Sequence, residues 1–230
     1  MVLLLPTLLA CTSVMRVPGP LASMRDDTER PTAVAQTARS APTRPTPTRA
    51  GGTGTGQAIA NAALRLEGVK SIVVAGETYR YDCSGFVEAA MAAAGFVYTG
   101  STRDLFATAK DLGVLHRRHR PEIGDLAFFD DTYDRDDDGR VNDPLSHVAV
   151  VTAVDASGTV TMMHLGSNAV RTLTMNLRDP EIHKDEAGTL LNDYLRASSK
   201  RDGPQTRRLA GELWVAYGSL WKPSAVAQNP

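Results

Sequence analysis

The chain has 230 residues and a formal net charge of −1, which gives no electrostatic reason to expect nucleic-acid binding. Its two cysteines show no repeated spacing, so neither a disulfide framework nor a thiolate zinc site is expected. No apolar run reaches the length of a membrane-spanning helix. The length suits one domain with additional segments, and we expect a monomer.

The N-terminus, residues 1–11, is a short apolar run that resembles a bacterial lipoprotein signal. Leu8-Leu9-Ala10-Cys11 would be its lipobox, and cleavage would leave Cys11 as the lipidated first residue. The positively charged segment that normally opens such a signal is missing, since the first cation is Arg16. We expect an exported protein of the cell envelope, either anchored to the membrane through Cys11 or periplasmic.

The segment 12–52 is rich in proline, threonine and arginine and contains no aromatic residue. Such a composition cannot bury enough apolar surface to offset the entropy of ordering, so it predicts a disordered linker. A tether between an anchor and a domain is one use, and a dispensable tail is the other. The folded domain is expected over 53–222, with a short tail over 223–230.

Helices are predicted in the first part of this domain. Apolar residues at helical spacing predict helices over 55–68, 83–94 and 102–112. A short strand is expected over 71–75.

Strands are predicted in the second part, joined by turn-forming sequences such as Asp155-Ala156-Ser157-Gly158. The expected strands are 126–129, 147–154, 159–165 and 170–175. Two further segments, 190–196 and 207–217, are predicted to be helical. Helices followed by an antiparallel meander predict an α+β domain.

Cys83 is the strongest candidate for chemistry, because it lies where a turn-prone stretch gives way to an apolar helical pattern. At a helix N-terminus, free N–H groups and the macrodipole favour a thiolate and are expected to lower the thiol pKa. A lone cysteine with histidines elsewhere is a candidate nucleophile, although a buried structural thiol is an equally common use.

Two histidines lie at the ends of predicted strands and suit this cysteine. A hairpin centred on residues 156 and 157 places His147 and His164 nearly opposite each other, with Cβ atoms about 5 Å apart. One imidazole could then orient the other, as the third member of a triad orients the base.

These residues form an ordered set that resembles the NlpC-type cell-wall cysteine peptidases, a papain-like superfamily that includes the CHAP amidases. The set runs Asp82-Cys83-Ser84-Gly85-Phe86-Val87, Ile123-Gly124-Asp125-Leu126-Ala127-Phe128-Phe129, Ser146-His147-Val148-Ala149-Val150-Val151 and His164. The resemblance covers about residues 55–176. It implies a papain-like fold in which the nucleophile begins a helix packed on an antiparallel sheet.

The resemblance also implies roles for these side chains. Cys83 would be the nucleophile, His147 the general base and acid, and His164 the third polar residue, with Asn168 as its rival. Tyr81, Asp82 and Ser84 would bind substrate, the last two at its free amino end.

The implied activity is cleavage of amide bonds in peptidoglycan stem peptides by an endopeptidase. A CHAP-like amidase acting at the sugar–peptide junction is the first alternative. A catalytically idle, calcium-stabilised envelope-binding module is the second. Catalysis itself would need no cofactor.

An acidic insertion precedes His147 and contains Asp-x-Asp-x-Asp-Gly, a spacing that lets carboxylates converge on a structural Ca²⁺. A solvated acidic loop is the alternative interpretation. The candidate ligands are Asp134, Asp136, Asp138, the carbonyl of Arg140, Asn142 and Asp143.

Overall fold

The computed structural model describes residues 53–200 and 202–222. The predicted lipobox with Cys11, the linker 12–52 and the tail 223–230 lie outside these residues. Within them, no helix combines the length and apolar character needed to cross a membrane.

The first helix, α1, spans Thr53–Arg65 and is followed by a hairpin of β1 (Ile72–Val74) and β2 (Glu77–Tyr79). The hairpin turn consists of Ala75 and Gly76, both at positive φ, which is the backbone that a tight two-residue turn requires. The strand predicted within 71–75 is confirmed as β1, whereas its partner β2 was not predicted.

Helices α2 (Cys83–Ala93) and α3 (Thr102–Asp111) follow. Ser101 caps α3 in a capping box with Asp104. The three predicted helices are confirmed, each ending one to three residues earlier than expected.

One six-stranded antiparallel sheet contains the remaining strands, in the order β3-β8-β4-β5-β6-β7. Their bounds are β3 (Leu115–His116), β4 (Leu126–Phe129), β5 (His147–Val154), β6 (Val160–Leu165), β7 (Val170–Met175) and β8 (Trp214–Gly218). The four predicted strands are confirmed, and the α+β class with them.

Two predictions of helix are wrong. Residues 190–196 form irregular chain with an isolated bridge from Tyr194 to Leu209. Residues 207–217 contain only the short helix α4 (Ala210–Leu213) before the chain enters β8. The apolar residues from Leu209 to Tyr217 fit helical spacing, but the gap between β3 and β4 is filled by a strand, and this non-local pairing outweighs local preference.

Each face of the sheet contributes to its own apolar core, because side chains alternate along a strand. Phe128, Val148 and Val150 join the core that contains α1 and α2. Ala149 and Val151, which alternate with these valines along β5, join a second core closed by Leu213 of α4. Packing of α2 against β5 places the start of the helix beside the start of that strand.

Candidate active site

The N-terminus of α2 is fixed by Asp82, whose extended backbone makes it the N-cap. Its Oδ1 accepts hydrogen bonds from the Gly85 N–H (2.7 Å) and from the Ser84 hydroxyl (2.8 Å). Gly85 is required at this turn because a Cβ there would lie 2.2 Å from the Arg80 carbonyl oxygen. Cys83 is therefore held as the first residue of the helix.

The Cys83 thiol is half-buried and lies 3.6 Å from the Thr102 hydroxyl. Burial raises its pKa above the ordinary value, and the nearby charge of Asp82 also raises it. Hydrogen bonds from Thr102 and from the backbone of Val148 and Ser84 act in the opposite direction without cancelling burial. The predicted lowering of the thiol pKa is wrong, because desolvation exceeds the stabilisation available at the helix end.

His147, at the start of β5, and His164, in β6, form a hydrogen-bonded pair. His147 Nε2 and His164 Nδ1 are 2.8 Å apart, and the rings are nearly perpendicular at 86°. Both residues are buried.

The strand register at the histidines is the one that a turn centred on residues 156 and 157 gives. Val150 pairs with Met163, so His164 lies opposite Ala149, two residues from His147 on the same face. The histidines are therefore diagonal neighbours, and the length of the two imidazoles closes the distance.

Burial is the main reason why the pKa of both histidines is low. It lowers the pKa of His147 to about 4, and the charge of Arg171 contributes in the same direction. For His164, burial, His147 and Arg171 all lower the pKa, in that order. The resting imidazoles are consequently neutral at physiological pH.

Arg171 was not predicted from the sequence. It pairs with His164 in the β6–β7 register, and its Nε–H donates to His164 Nε2 at 3.4 Å. No motif marks this arginine, but His164 and Arg171 lie symmetrically about residues 167 and 168, midway between the predicted strands 159–165 and 170–175, and pairing these strands as a hairpin would have found it.

The thiol lies near the strand that begins with His147. The backbone of Val148, the residue that follows His147, contributes to lowering the thiol pKa. The site also includes Tyr133, a half-exposed residue missed by sequence analysis. Burial first and then the neighbouring Cys83 raise its pKa.

The remaining predicted residues lie around this centre. The Tyr81 hydroxyl is within 3.1 Å of the carbonyl oxygens of Val69 and Asn168. Asn168 lies in the turn between β6 and β7, and among the described residues the hydrogen bond to His147 Nε2 comes from His164. Asp82 keeps nearly half of its side chain exposed.

The acidic loop brings three of its carboxylates together. Oxygen atoms of Asp134, Asp136 and Asp138 lie within 4.8 Å of one another. Asp134 Oδ2 accepts the Gly139 N–H, whereas its Oδ1 is buried and has no partner among the described residues.

The other candidate ligands differ in position. The Asn142 amide donates to Asp138 at 3.4 Å, close to the three carboxylates. Asp143 is not part of that group and is bonded through its backbone to Asp131. The Arg140 N–H donates to Asp138.

Comparison with known proteins gives one family match. Residues 74–165, which include Cys83, His147 and His164, match the CHAP domain. No curated protein matches the sequence.

Among solved structures, the chain is similar to a protein from Staphylococcus aureus subsp. aureus Mu50 described as similar to lipoprotein, NLP/P60 family. The two are 24% identical, and the TM-score is 0.34. The match covers 56% of this chain and only 39% of that one.

The family match and the ordered cysteine and histidines fall on the same stretch of chain. Residues 74–165, which carry the cysteine and the two histidines, are therefore similar to the CHAP domain.

Proposed function

We propose that the domain is a cysteine hydrolase that cleaves amide bonds in the stem peptides of peptidoglycan. The family match supports a peptidoglycan hydrolase. The cysteine mechanism is supported by a thiol at the start of α2, which packs against β5, and by a pair of histidines from β5 and β6 whose ring nitrogens are 2.8 Å apart.

The electrostatics favour general-base catalysis from a neutral pair. Burial raises the pKa of Cys83 and lowers that of His147, so a thiolate–imidazolium pair is disfavoured at rest. As Sγ attacks the amide carbonyl, His147 takes the thiol proton. The N–H of Cys83, in the first helical turn, is free of helical bonding and suits the developing oxyanion.

The second half of the reaction returns the enzyme to its resting state. The His147 imidazolium gives its proton to the leaving amine, and the C–N bond breaks to leave a thioester on Cys83. His147 then takes a proton from water, which attacks the thioester and releases the carboxylic acid. The thiol regains its proton from His147.

Substrate binding is proposed for the rim formed by Tyr81, Asp82 and Ser84. Asp82 Oδ2 lies 3.5 Å from Arg80 in a half-exposed ion pair, and the exposed part of this carboxylate suits a free amino group, because opposite charges attract most where water is partly excluded. An amino end bound here favours an endopeptidase acting within the stem peptide.

The decisive experiment is mass spectrometry of purified peptidoglycan digested by the wild-type chain and by Cys83→Ala. An endopeptidase shortens stem peptides, whereas an amidase releases intact stems from the glycan. Cleavage should disappear in Cys83→Ala. Binding of peptidoglycan by both proteins with no new fragments would identify an idle binding module instead.

We also propose a metal site and a lipid anchor, neither of which the family match tests. Asp134, Asp136 and Asp138 are proposed to hold one Ca²⁺, because their carboxylates converge and Asp134 Oδ1 is buried without a partner among the described residues. Cys11 is proposed to carry a lipid anchor. Metabolic labelling with a fatty-acid analogue should mark the wild type and not Cys11→Ser.

A further inference from the structure

Arg171 contacts His164 at Nε2, the ring nitrogen that does not bond His147. The Arg171 Nε–H group therefore determines which ring nitrogens of the two histidines carry protons. An arginine Nε–H only donates, so His164 Nε2 must hold a lone pair while the 3.4 Å contact exists. The proton of neutral His164 is then on Nδ1, and it is donated to His147 Nε2 across the 2.8 Å bond. Neutral His147 consequently carries its own proton on Nδ1.

This arrangement is unproductive for the proposed reaction. His147 Nε2 is engaged by His164, so Nδ1 is the ring nitrogen that remains for the Cys83 thiol. A protonated Nδ1 cannot accept the thiol proton. In the productive tautomer both histidines carry their proton on Nε2. The Arg171 Nε–H disfavours this state, because it points at His164 Nε2, where that proton would have to lie.

Arg171 fits beside Gly166 in this contact, but it is free to leave because it is exposed to solvent. A Cβ on Gly166 would lie 2.5 Å from Arg171 Nε and 3.1 Å from its Cζ, so the guanidinium lies across a position where a side chain is absent. Arg171 is exposed, and no described carboxylate forms an ion pair with it. A long contact by a solvent-accessible cation is easily exchanged for a charged partner.

We propose that Arg171 is a positioning residue that holds the histidine pair in a resting tautomer until a carboxylate of the substrate draws its guanidinium away. The ligand class is an anionic peptide with a carboxylate near the scissile amide, which rests on the proposed function. On release, His147 Nδ1 gives its proton to solvent, His147 Nε2 takes the Nδ1 proton of His164, and His164 Nε2 takes a proton from solvent. The number of protons on the pair is unchanged.

The tautomers can be tested without measuring activity. Long-range ¹H–¹⁵N spectra of histidine-labelled protein should show His147 and His164 protonated on Nδ1 in the wild type. In Arg171→Met, which removes the donor, both should be protonated on Nε2. Gly166→Ala keeps the arginine but displaces it, so its spectrum should match that of Arg171→Met. Identical tautomers in all three proteins would overturn the resting-state assignment.

The substrate part is tested with two synthetic stem peptides, one with free carboxylates and one with carboxamides in their place. The wild type should show a kcat/KM about tenfold or more higher for the carboxylate form, as expected for a charge-assisted contact. In Arg171→Met this ratio should fall to about one through faster cleavage of the carboxamide form. Arg171→Lys, which keeps the charge, should retain a preference for carboxylate.

The outcomes separate this proposal from the proposed function. If the wild type cleaves neither peptide nor peptidoglycan, the hydrolase assignment fails, and the spectra still decide the tautomers. If the wild type cleaves both forms and Arg171→Met keeps the same ratio, the substrate-carboxylate role is wrong.

Discussion

The pKa of Cys83 is raised and the pKa of His147 is lowered, and both shifts favour the uncharged form of the side chain. Burial is the largest cause in each case, since it disfavours the thiolate and the imidazolium alike. A helix N-terminus by itself would favour the thiolate, which is why the sequence predicted the opposite direction for Cys83. The extent of burial depends on how α2 packs on β5, and this packing cannot be predicted from a local sequence motif.

The pH dependence of catalysis should reflect the low pKa of His147. Only the neutral imidazole accepts a proton, and with a pKa of about 4 it stays neutral well below the usual histidine range. The acidic limb of kcat/KM, which reports the free enzyme, should therefore lie below pH 5 and not near 6.5. Stopped-assay rates from pH 3.5 to 8 would measure it.

Arg171→Met is the matched control for this profile. Removing the positive charge should move the acidic limb of kcat/KM to higher pH, because the arginine contributes to the lowering of the His147 pKa. An acidic limb near pH 6.5 in the wild type would show that His147 is not the buried base inferred here.

The third catalytic position can be assigned by comparing His164→Ala with Asn168→Ala. His164 supplies the hydrogen bond to His147, so its loss should lower kcat by about 10²-fold, on the order of 3 kcal/mol, with little change in KM. Asn168→Ala should have near wild-type kinetics, because the backbone carbonyl of Asn168 contacts Tyr81 and remains after substitution. The reverse result would transfer the role to Asn168.

Among the elements, the β5–β6 hairpin was predictable, including its register at the histidines. Alternating apolar residues and the Asp155–Gly158 turn predict both strands, and a turn centred on residues 156 and 157 pairs Val150 with Met163, as in the structure. The irregularity between Val151 and Ala153, which shifts the pairing by one residue on the turn side, was not predicted. Counting from the turn was therefore sufficient to place the two histidines on one face as diagonal neighbours.

The acidic loop 134–143 is the element for which metal removal gives a clear prediction. A site with a Kd of about 10 μM would stabilise the fold by roughly 2.7 kcal/mol at millimolar Ca²⁺. Chelation should then lower Tm by about 5–10 °C in scanning calorimetry. Because the loop ends shortly before His147, activity should fall in parallel.

Two substitutions of equal charge serve as the test and its control. Asp134→Asn should abolish the calcium-dependent shift, because Asp134 belongs to the convergent group and has the buried, unpartnered oxygen. Asp137→Asn should retain the shift, since Asp137 lies outside the group and asparagine tolerates its φ of 59°. An unmoved melting curve on chelation of the wild type would remove the metal proposal.

For the whole molecule, the domain extends beyond the segment that matches the CHAP family. That segment ends at residue 165, whereas β7 and β8 complete the sheet, and β8 lies between β3 and β4. The sequence predicted the class and the strands that carry His147 and His164 because their signals are local. It missed β8 because that strand is defined by two partners that lie roughly 90 to 100 residues earlier in the chain.

A buried carboxylate, Asp125, joins the parts of this sheet that are distant in sequence. It is fully buried at the start of β4 and accepts hydrogen bonds from His116 (3.1 Å), Ser219 (2.7 Å), Trp221 (3.1 Å) and the Glu122 N–H (2.8 Å). Burial raises its pKa, but the hydrogen bonds outweigh burial and the net pKa lies below the usual value. The carboxylate is thus ionised, and both of its oxygens accept hydrogen bonds.

Asp125→Ala should destabilise the whole domain, because it removes a buried carboxylate and leaves four donors without their acceptor. Loss of a buried, hydrogen-bonded charge costs about 3–5 kcal/mol, which corresponds to a fall in Tm on the order of 10 °C for a domain of this size. Ser219→Ala removes one donor and leaves three bonds to the carboxylate, so its cost should be about 1 kcal/mol. Thermal unfolding of the two variants beside the wild type would measure both. A Tm for Asp125→Ala within 2 °C of the wild type would mean that β3, β4 and the segment after β8 are held together by apolar packing alone.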